Sequence, residues 1–205
     1  MFKDTPILKK VKKLFETKFL NFYSATYQTE AGENDYFFVS RSDEKDLPML
    51  NKDKKKYIKG NAIEAFTYIK ENDGYKILMI KEFRKPLNEY VFSFPAGIIE
   101  KKDKTPLDAY VREIEEELGG SIKNIEYCQK NSMPLCAGVT DESNYYAIVE
   151  IKELHSQKLE EQERIEVYKF TVQELEQKIK NSELPLTVQG YLGAVLLINK
   201  LKEMQ

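Results

Sequence analysis

The sequence predicts a layered domain of mixed strands and a few helices, of α+β or α/β/α type, with a small β appendage on its N-terminal side. Three observations carry this. Residues 9–45 alternate apolar and polar side chains in short pieces, the period of half-buried strands. From Gly60 the chain instead runs through longer apolar stretches joined by turn signals. After Thr105 a strongly capped helical period begins. Strands interspersed with helices build layers rather than an all-β or all-α body.

In the appendage, KLFETKFLNFYSATYQT reads as a strand, EAGEND as a hairpin turn and YFFVSRS as its partner. Residues 43–56 are polar and charged and read as a loop, with the KDKKK run at 52–56 solvated. A boundary in 45–60 separates an N-terminal β region, 1–58, from a main domain, 59–205. There AIEAFTYIK, the turn ENDG and YKILMIKEF make a second hairpin, and EYVFSFPAG a further strand. In the helix that follows, Thr105 suits the N-cap, Pro106 the first helical position and Asp108 a capping box. Leu107, Val111, Ile114 and Leu118 recur at helical spacing as one apolar stripe, and Gly119–Gly120 supply the stop. Strands are expected near 122–129, 144–151 and 164–170, a capped helix from Thr171 and a final helix from Thr187.

Charge and composition exclude several classes. Lys plus Arg number 32 against 34 Asp plus Glu, a net charge of -2 with no basic surplus for nucleic acid. The apolar runs fall short of the roughly 18 residues of a membrane span. Lysines interrupt MFKDTPILKKVKKLF, which lacks the apolar core of a signal peptide. Cys128 and Cys136 offer neither a disulfide framework nor a zinc spacing; they read as buried small hydrophobes, and a reducing cytoplasm is the expected location. His155, the only histidine, lies in a polar stretch and reads as surface, which argues against histidine-based catalysis.

The chemistry concentrates in REIEEELGG, Arg112 to Gly120. Arg112, Glu113, Glu116 and Glu117 lie three and four apart on one side of the helix, roughly opposite the apolar stripe, while Glu115 points elsewhere as plain surface. Carboxylates at a helix C-terminus oppose its dipole and one another, at roughly 0.3–1 kcal/mol each. Either a cation answers them or water does. Three converging carboxylates make a hard, oxygen-rich pocket suited to Mg²⁺ or Mn²⁺, and Arg112 reaches Glu116 at i,i+4; an exposed acidic helix end is the alternative. Upstream, Pro95 and Gly97 in FPAGIIEKKDKTP let the backbone approach a ligand closely.

Read together, Gly97 to Glu100, Thr105–Pro106 and Arg112 to Gly119 resemble the Nudix box of the Nudix hydrolases, G-x5-E-x7-R-E-U-x-E-E-x-G-U with U aliphatic. Arg112, Glu113, Ile114, Glu116, Glu117 and Gly119 match in register. The preceding loop is one residue longer than the pattern. The box's first Glu falls on Lys104, with Asp103 beside it, and Gly120 takes an aliphatic position. EFRKPLNEYVFSFPAGIIE resembles the Q-[FY]-R-P-P to E-[FLI]-P-A-G signature of the ADP-ribose pyrophosphatase branch, with Lys85 for the first Pro and Ser93 for the Glu. CAGVTDESNYYAIVEI, with Ala137 for a Pro, and EEQERIEVYKFTVQEL resemble its later segments; YFFVSR resembles its W-E-x-V-x-R strand.

The resemblance implies an α/β/α sandwich with a mixed sheet and Mg²⁺-dependent hydrolysis of ADP-ribose, or a related nucleoside diphosphate sugar, to AMP and ribose 5-phosphate. GDP-mannose or another sugar nucleotide is the nearest alternative substrate; a non-hydrolysing ADP-ribose-sensing module is the alternative of another class. Position by position, Glu113, Glu116 and Glu117 match the metal-binding glutamates and Ala96 the residue whose carbonyl joins them. Glu163 in the acidic loop matches the general base, with Glu160, Glu161 and Glu166 as rivals and a solvated loop as the alternative. Arg84 is the expected phosphate contact, against a surface salt bridge, and Glu142 supports the site unless it is ordinary loop polarity. Tyr36 stacks on the adenine with Arg41 nearby, unless Tyr36 to Phe38 merely pack a strand. The N-terminal β region, at about 45 residues too small to be comfortable alone, is expected to exchange across a homodimer. Neither nucleic acid nor membrane is expected as a partner.

Overall fold

The computed structural model describes residues 5–50 and 60–204. They divide into two units, one reaching to Asn61 and including Asn131–Asn144, the other comprising Ala62–Lys130 and the chain from Tyr145 onward. The expected boundary at 58/59 and the KDKKK run lie outside the described residues.

The first unit is built on an antiparallel sheet of β1 (Ile7–Glu16), β2 (Asn21–Thr29) and β3 (Gly32–Ser40). Two strands stand where one was expected before the hairpin. The break needs no glycine or proline because Thr17 makes it: its Oγ1 donates to Leu20 O (2.7 Å) and accepts from the amides of Phe19 (3.2 Å) and Leu20 (2.8 Å). The turn between β2 and β3 is only residues 30–31, shorter than the expected EAGEND. Asp35 already belongs to β3, where its Oδ1 accepts from Thr26 Oγ1 across the pair (2.6 Å). Tyr23, Ala25, Phe38 and Leu47 form this unit's buried core. The two-residue β9 (Met133–Pro134) pairs with Ser143 and Asn144.

The second unit carries a mixed sheet in the order β11-β5-β4-β10-β8, with β6 on β5 and β7 on β4. Its strands are β4 (Ala62–Glu71), β5 (Gly74–Arg84), β6 (Glu89–Ser93), β7 (Ala96–Ile98), β8 (Gly120–Tyr127), β10 (Ser143–Leu154) and β11 (Ile165–Thr171). Ala62 to Ile69 are all buried, so β4 is covered on both faces. Phe66 and Tyr68 pack with α2 (Val172–Lys180) and α3 (Val188–Glu203), whereas Ile63 and Ala65 pack with α1 (Pro106–Glu113). Alternation along one strand therefore loads helices onto both faces of the sheet, an α/β/α sandwich. No helix among the described residues is long and apolar enough to cross a membrane.

Helix α1 starts as its sequence dictates. The Thr105 side chain accepts from Asp108 N while Asp108 Oδ2 accepts from Thr105 N (2.8 Å), and Pro106 opens the first turn. Thr105→Ala is expected to cost about 1 kcal/mol, read as a lower urea midpoint at unchanged m-value; an unchanged midpoint would show that packing alone holds this helix end. Its buried face differs from expectation. Leu107 and Val111 are 42% and 48% exposed, while Ala109, Tyr110, Glu113, Ile114, Glu117 and Leu118 are buried. Residues Ile114–Leu118 form a π-helical turn, and of the apolar stripe only its two members there, Ile114 and Leu118, are buried. Both cysteines are exposed rather than buried, Cys128 just past the edge strand β8 and Cys136 between β9 and β10.

Candidate active site

The site is assembled where β7 meets the end of α1. Register pairs Glu64 with Ala96 and Ile63 with Gly97, and Ala65 N donates to Pro95 O (2.8 Å). This seats Gly97 directly against the helix: a Cβ there would lie 1.7 Å from Glu113 Oε1 and 2.0 Å from its carboxyl carbon. The Glu113 carboxylate thus occupies the space a side chain would fill. Ala96 meets the cluster through its amide, which donates to Glu117 Oε2 (2.9 Å).

Arg112 organises the carboxylates. Its Nη1 donates to Glu113 Oε1 (2.5 Å) and Glu116 Oε2 (3.2 Å); its Nη2 donates to Ile98 O (2.9 Å) and Asp103 Oδ2 (2.9 Å), and its Nε to Asp103 Oδ1 (3.4 Å). Asp103, whose carboxyl the Arg112 guanidinium holds below the usual carboxylate range, closes a two-pronged pair from the loop. Counting back from Arg112 puts that box position on the exposed Lys104, whereas the acid Arg112 grips is Asp103, one residue earlier, as the extra loop residue allows. Glu115 faces out and pairs with Lys158.

Burial then works against ionisation in the site. It pushes the Glu113 carboxyl up to about 7 against the pull of Arg112, with Glu116 and Glu163 adding to the rise. Burial also lifts Glu117 well above its ordinary value, opposed by the Ala96 amide and reinforced by Glu113, Glu82 and Glu163. Glu82 and Glu64 were not singled out in the sequence. Glu82 on β5 is raised by burial, opposed by Arg84, whose Nη2 lies 2.9 Å from Glu82 Oε2. Glu64 on β4 is raised to about 8 by burial, again opposed by Arg84. The i,i+2 spacing of Glu82 and Arg84 on one strand face was the available clue.

Glu163 is half-buried, its Oε2 accepting from Glu160 N (2.8 Å), and its charge contributes to the rises at Glu82, Glu113 and Glu117. Among its rivals, Glu160 and Glu161 are exposed and Glu166 accepts from Tyr168 OH (3.0 Å).

The remaining expected residues belong to the first unit. Tyr36 OH donates to Gly138 O (2.7 Å), and Arg41 Nε lies 3.5 Å from Glu142 Oε2. Tyr36 lines a cavity of about 790 Å³ whose wall includes Tyr27, Phe38, Met49 and Asp141. Burial raises the Asp141 carboxyl, opposed by the Ser40 hydroxyl that donates to its Oδ2 (2.8 Å).

Glu113, Glu116 and Glu117 offer carboxylate oxygens, the donor type hard divalent cations take. Among the described residues no three His, Cys, Asp or Glu side chains stand close enough to hold a metal ion as they are. Arg112 engages Glu113 and Glu116, and the raised, buried pair Glu113–Glu117 is what an added cation would relieve. By chemistry these oxygens fit such an ion, while their present spacing does not enclose one.

The NUDIX domain family model matches residues 61–188, a span that holds this whole cluster. The chain belongs to the Nudix family. The ADP-ribose pyrophosphatase of Bacillus subtilis (strain 168) is 28% identical over 141 residues, 68% of this chain and 74% of that protein. The methanol dehydrogenase activator of Bacillus methanolicus is 27% identical over 175 residues, 84% of this chain and 88% of that one. A crystal structure of an ADP compounds hydrolase shares the fold, with a TM-score of 0.69 at 15% identity over 97% of this chain and 95% of that chain. Nudix enzymes act on nucleoside diphosphate substrates and generally use divalent metals such as Mg²⁺. In this Nudix hydrolase the box-like stretch runs from Gly97 on β7 through α1 and ends after the π-turn.

Proposed function

We propose that this Nudix protein hydrolyses the pyrophosphate bond of ADP-ribose, or of a closely related nucleoside diphosphate sugar, to AMP and ribose 5-phosphate, using Mg²⁺ with Mn²⁺ as a substitute. The observation that carries this is the buried pair Glu113 and Glu117, packed on Gly97 and Ala96, whose charged forms a bound cation would stabilise. The relation to an ADP-ribose pyrophosphatase favours ADP-ribose among the candidates.

Glu113, Glu116, Glu117 and the Ala96 carbonyl hold the metal in this reading. Metal bound there supplies neutralisation of phosphate oxygens and a lowered pKa for water. Arg84, half-exposed beside Glu82, offers its guanidinium to the diphosphate. Glu163 takes the proton of the attacking water. The oxygen of that water joins one phosphorus, the bond from that phosphorus to the bridging oxygen breaks, and the bridging oxygen departs on the other phosphate. The N-terminal β region, 1–58, supplies base contacts and dimerisation, and 59–205 the hydrolase. Tyr36 and Arg41 face the adenosine, with Glu142 holding Arg41; the aromatic cavity beside Tyr36 suits a planar ring. Exposed Phe15 (65%), Phe19 (67%) and Phe37 (54%) support a homodimer with exchanged N-terminal β regions. Two exposed thiols accord with a reducing cytoplasm.

Incubation with ADP-ribose and Mg²⁺, with products separated, tests the reading. AMP release is expected to require the metal and to fall about 100-fold in Glu116→Gln. Saturable ADP-ribose binding without turnover would instead favour a sensing module. Neither would reject ADP-ribose, and GDP- and UDP-sugars would be the substrates to try.

A further inference from the structure

The π-turn that carries Glu116 and Glu117 ends in a way its own residues do not complete. Gly119 N donates back to Ile114 O, and Gly119 itself turns left-handed (φ 65°). The carbonyls of the last turn are left without takers inside the helix, as at any helix end. Glu117 is only 5% exposed, so water is a poor partner for its carbonyl.

Residues 155–158 provide the partners. His155 N donates to Gly119 O (2.5 Å), Lys158 N to Glu116 O (2.9 Å), and the Gln157 side-chain amide to Glu117 O. Lys158 Nζ also pairs with Glu115. The segment lies so close that a Cβ at Gly119 would come within 2.2 Å of His155 O and 2.9 Å of Gln157 N. It leaves the end of β10, whose Leu154 pairs with Gly120, and therefore starts from the sheet. Residues 159–164, which include Glu163, follow it and end at β11, where Phe83 N donates to Arg164 O (3.3 Å).

We propose that residues 155–158 are a positioning strap, in which Gln157 holds the π-turn that aims Glu116 and Glu117 and fixes the near end of the segment bearing Glu163. Loss of the Gln157 donor leaves a buried carbonyl unpaired, which the turn relieves by rewinding and re-aiming both carboxylates. The strap rests on the hydrolase reading for its catalytic consequence but not for its structural one.

The test compares Gln157→Met, similar in length and without a donor, with Gln157→Lys, which keeps one. Mn²⁺ binding is read by calorimetry without substrate, hydrogen exchange at the Gly119 and Lys158 amides, and kcat and KM with ADP-ribose. In Gln157→Met, Mn²⁺ affinity and kcat are expected to fall about 10- to 100-fold, KM to move less, and both amides to exchange faster. Gln157→Lys should stay near wild type in all four. Wild-type affinity and exchange in Gln157→Met, or no advantage of Lys over Met, would overturn the strap. If the wild-type protein neither binds Mn²⁺ nor releases AMP, the hydrolase reading fails, and the exchange data alone then uphold or reject the strap.

Discussion

Gly97→Ala is expected to lose about 100-fold or more in turnover, the scale of a roughly 1 Å misplacement of a reacting group, while its unfolding free energy stays within about 1 kcal/mol of wild type. The reason is what the new methyl meets. Its nearest neighbours are the Glu113 carboxylate atoms, at 1.7–2.6 Å, and no backbone atom stands among them. A carboxylate on a flexible stem swings aside at small cost to the fold. Glu113 then leaves Arg112 Nη1, which it meets at 2.5 Å, and the floor formed by Gly97. The experiment pairs urea denaturation with Mn²⁺ binding and AMP release. A variant with wild-type metal affinity and turnover would show that Glu113 is not needed where it lies. A variant that unfolds would show that the close approach is structural.

That contrast explains which parts of the protein were legible in its sequence. Elements closed by local chemistry were: the Thr105–Asp108 capping box, the Thr171 and Thr187 caps and the glycine stop at Gly119 are hydrogen bonds between near neighbours. The Thr17 turn was not, because a threonine hydroxyl did the work usually signalled by glycine, proline or asparagine. The face of α1 was misread for a deeper reason. Hydrophobic periodicity assumes that apolar side chains are the ones buried, and here two glutamates share the buried face with Ile114 and Leu118 while Leu107 and Val111 stay outside. A site that needs carboxylates out of water breaks the pattern where it functions. Glu64 was hidden in the same way, an acid inside the apolar run AIEAFTYIK. Asp103, next to Lys104 in the lengthened loop, is the acid that Arg112 reaches.

The same buried acids set the direction of a pH effect. The metal-free protein is expected to become less stable as pH rises from about 5 to about 8, the reverse of ordinary acid denaturation. Folding raises Glu113 from 4.5 to about 7 and Glu64 from 4.5 to about 8, and Glu117 and Glu82 move the same way. Throughout that window the folded state binds more protons than the unfolded chain, so the slope of stability against pH is negative. The contribution is fully present below about 4.5 and is lost as pH climbs through the folded values. For Glu64 alone the displacement corresponds to on the order of 5 kcal/mol, so a series of thermal melts would resolve it. Glu64→Gln keeps the shape without the titration, and its melting temperature should exceed the wild type's at the alkaline end. Mg²⁺ binds the deprotonated forms, so its stabilisation should grow with pH and be smallest near pH 5. A flat metal-free profile would mean that these carboxyls are solvated after all. A slope that Mg²⁺ leaves untouched would mean that the repulsion is real but that the cation relieving it binds elsewhere. Opposite trends, stability falling with pH without metal and the metal's contribution rising, are what buried carboxylates built to receive a cation produce.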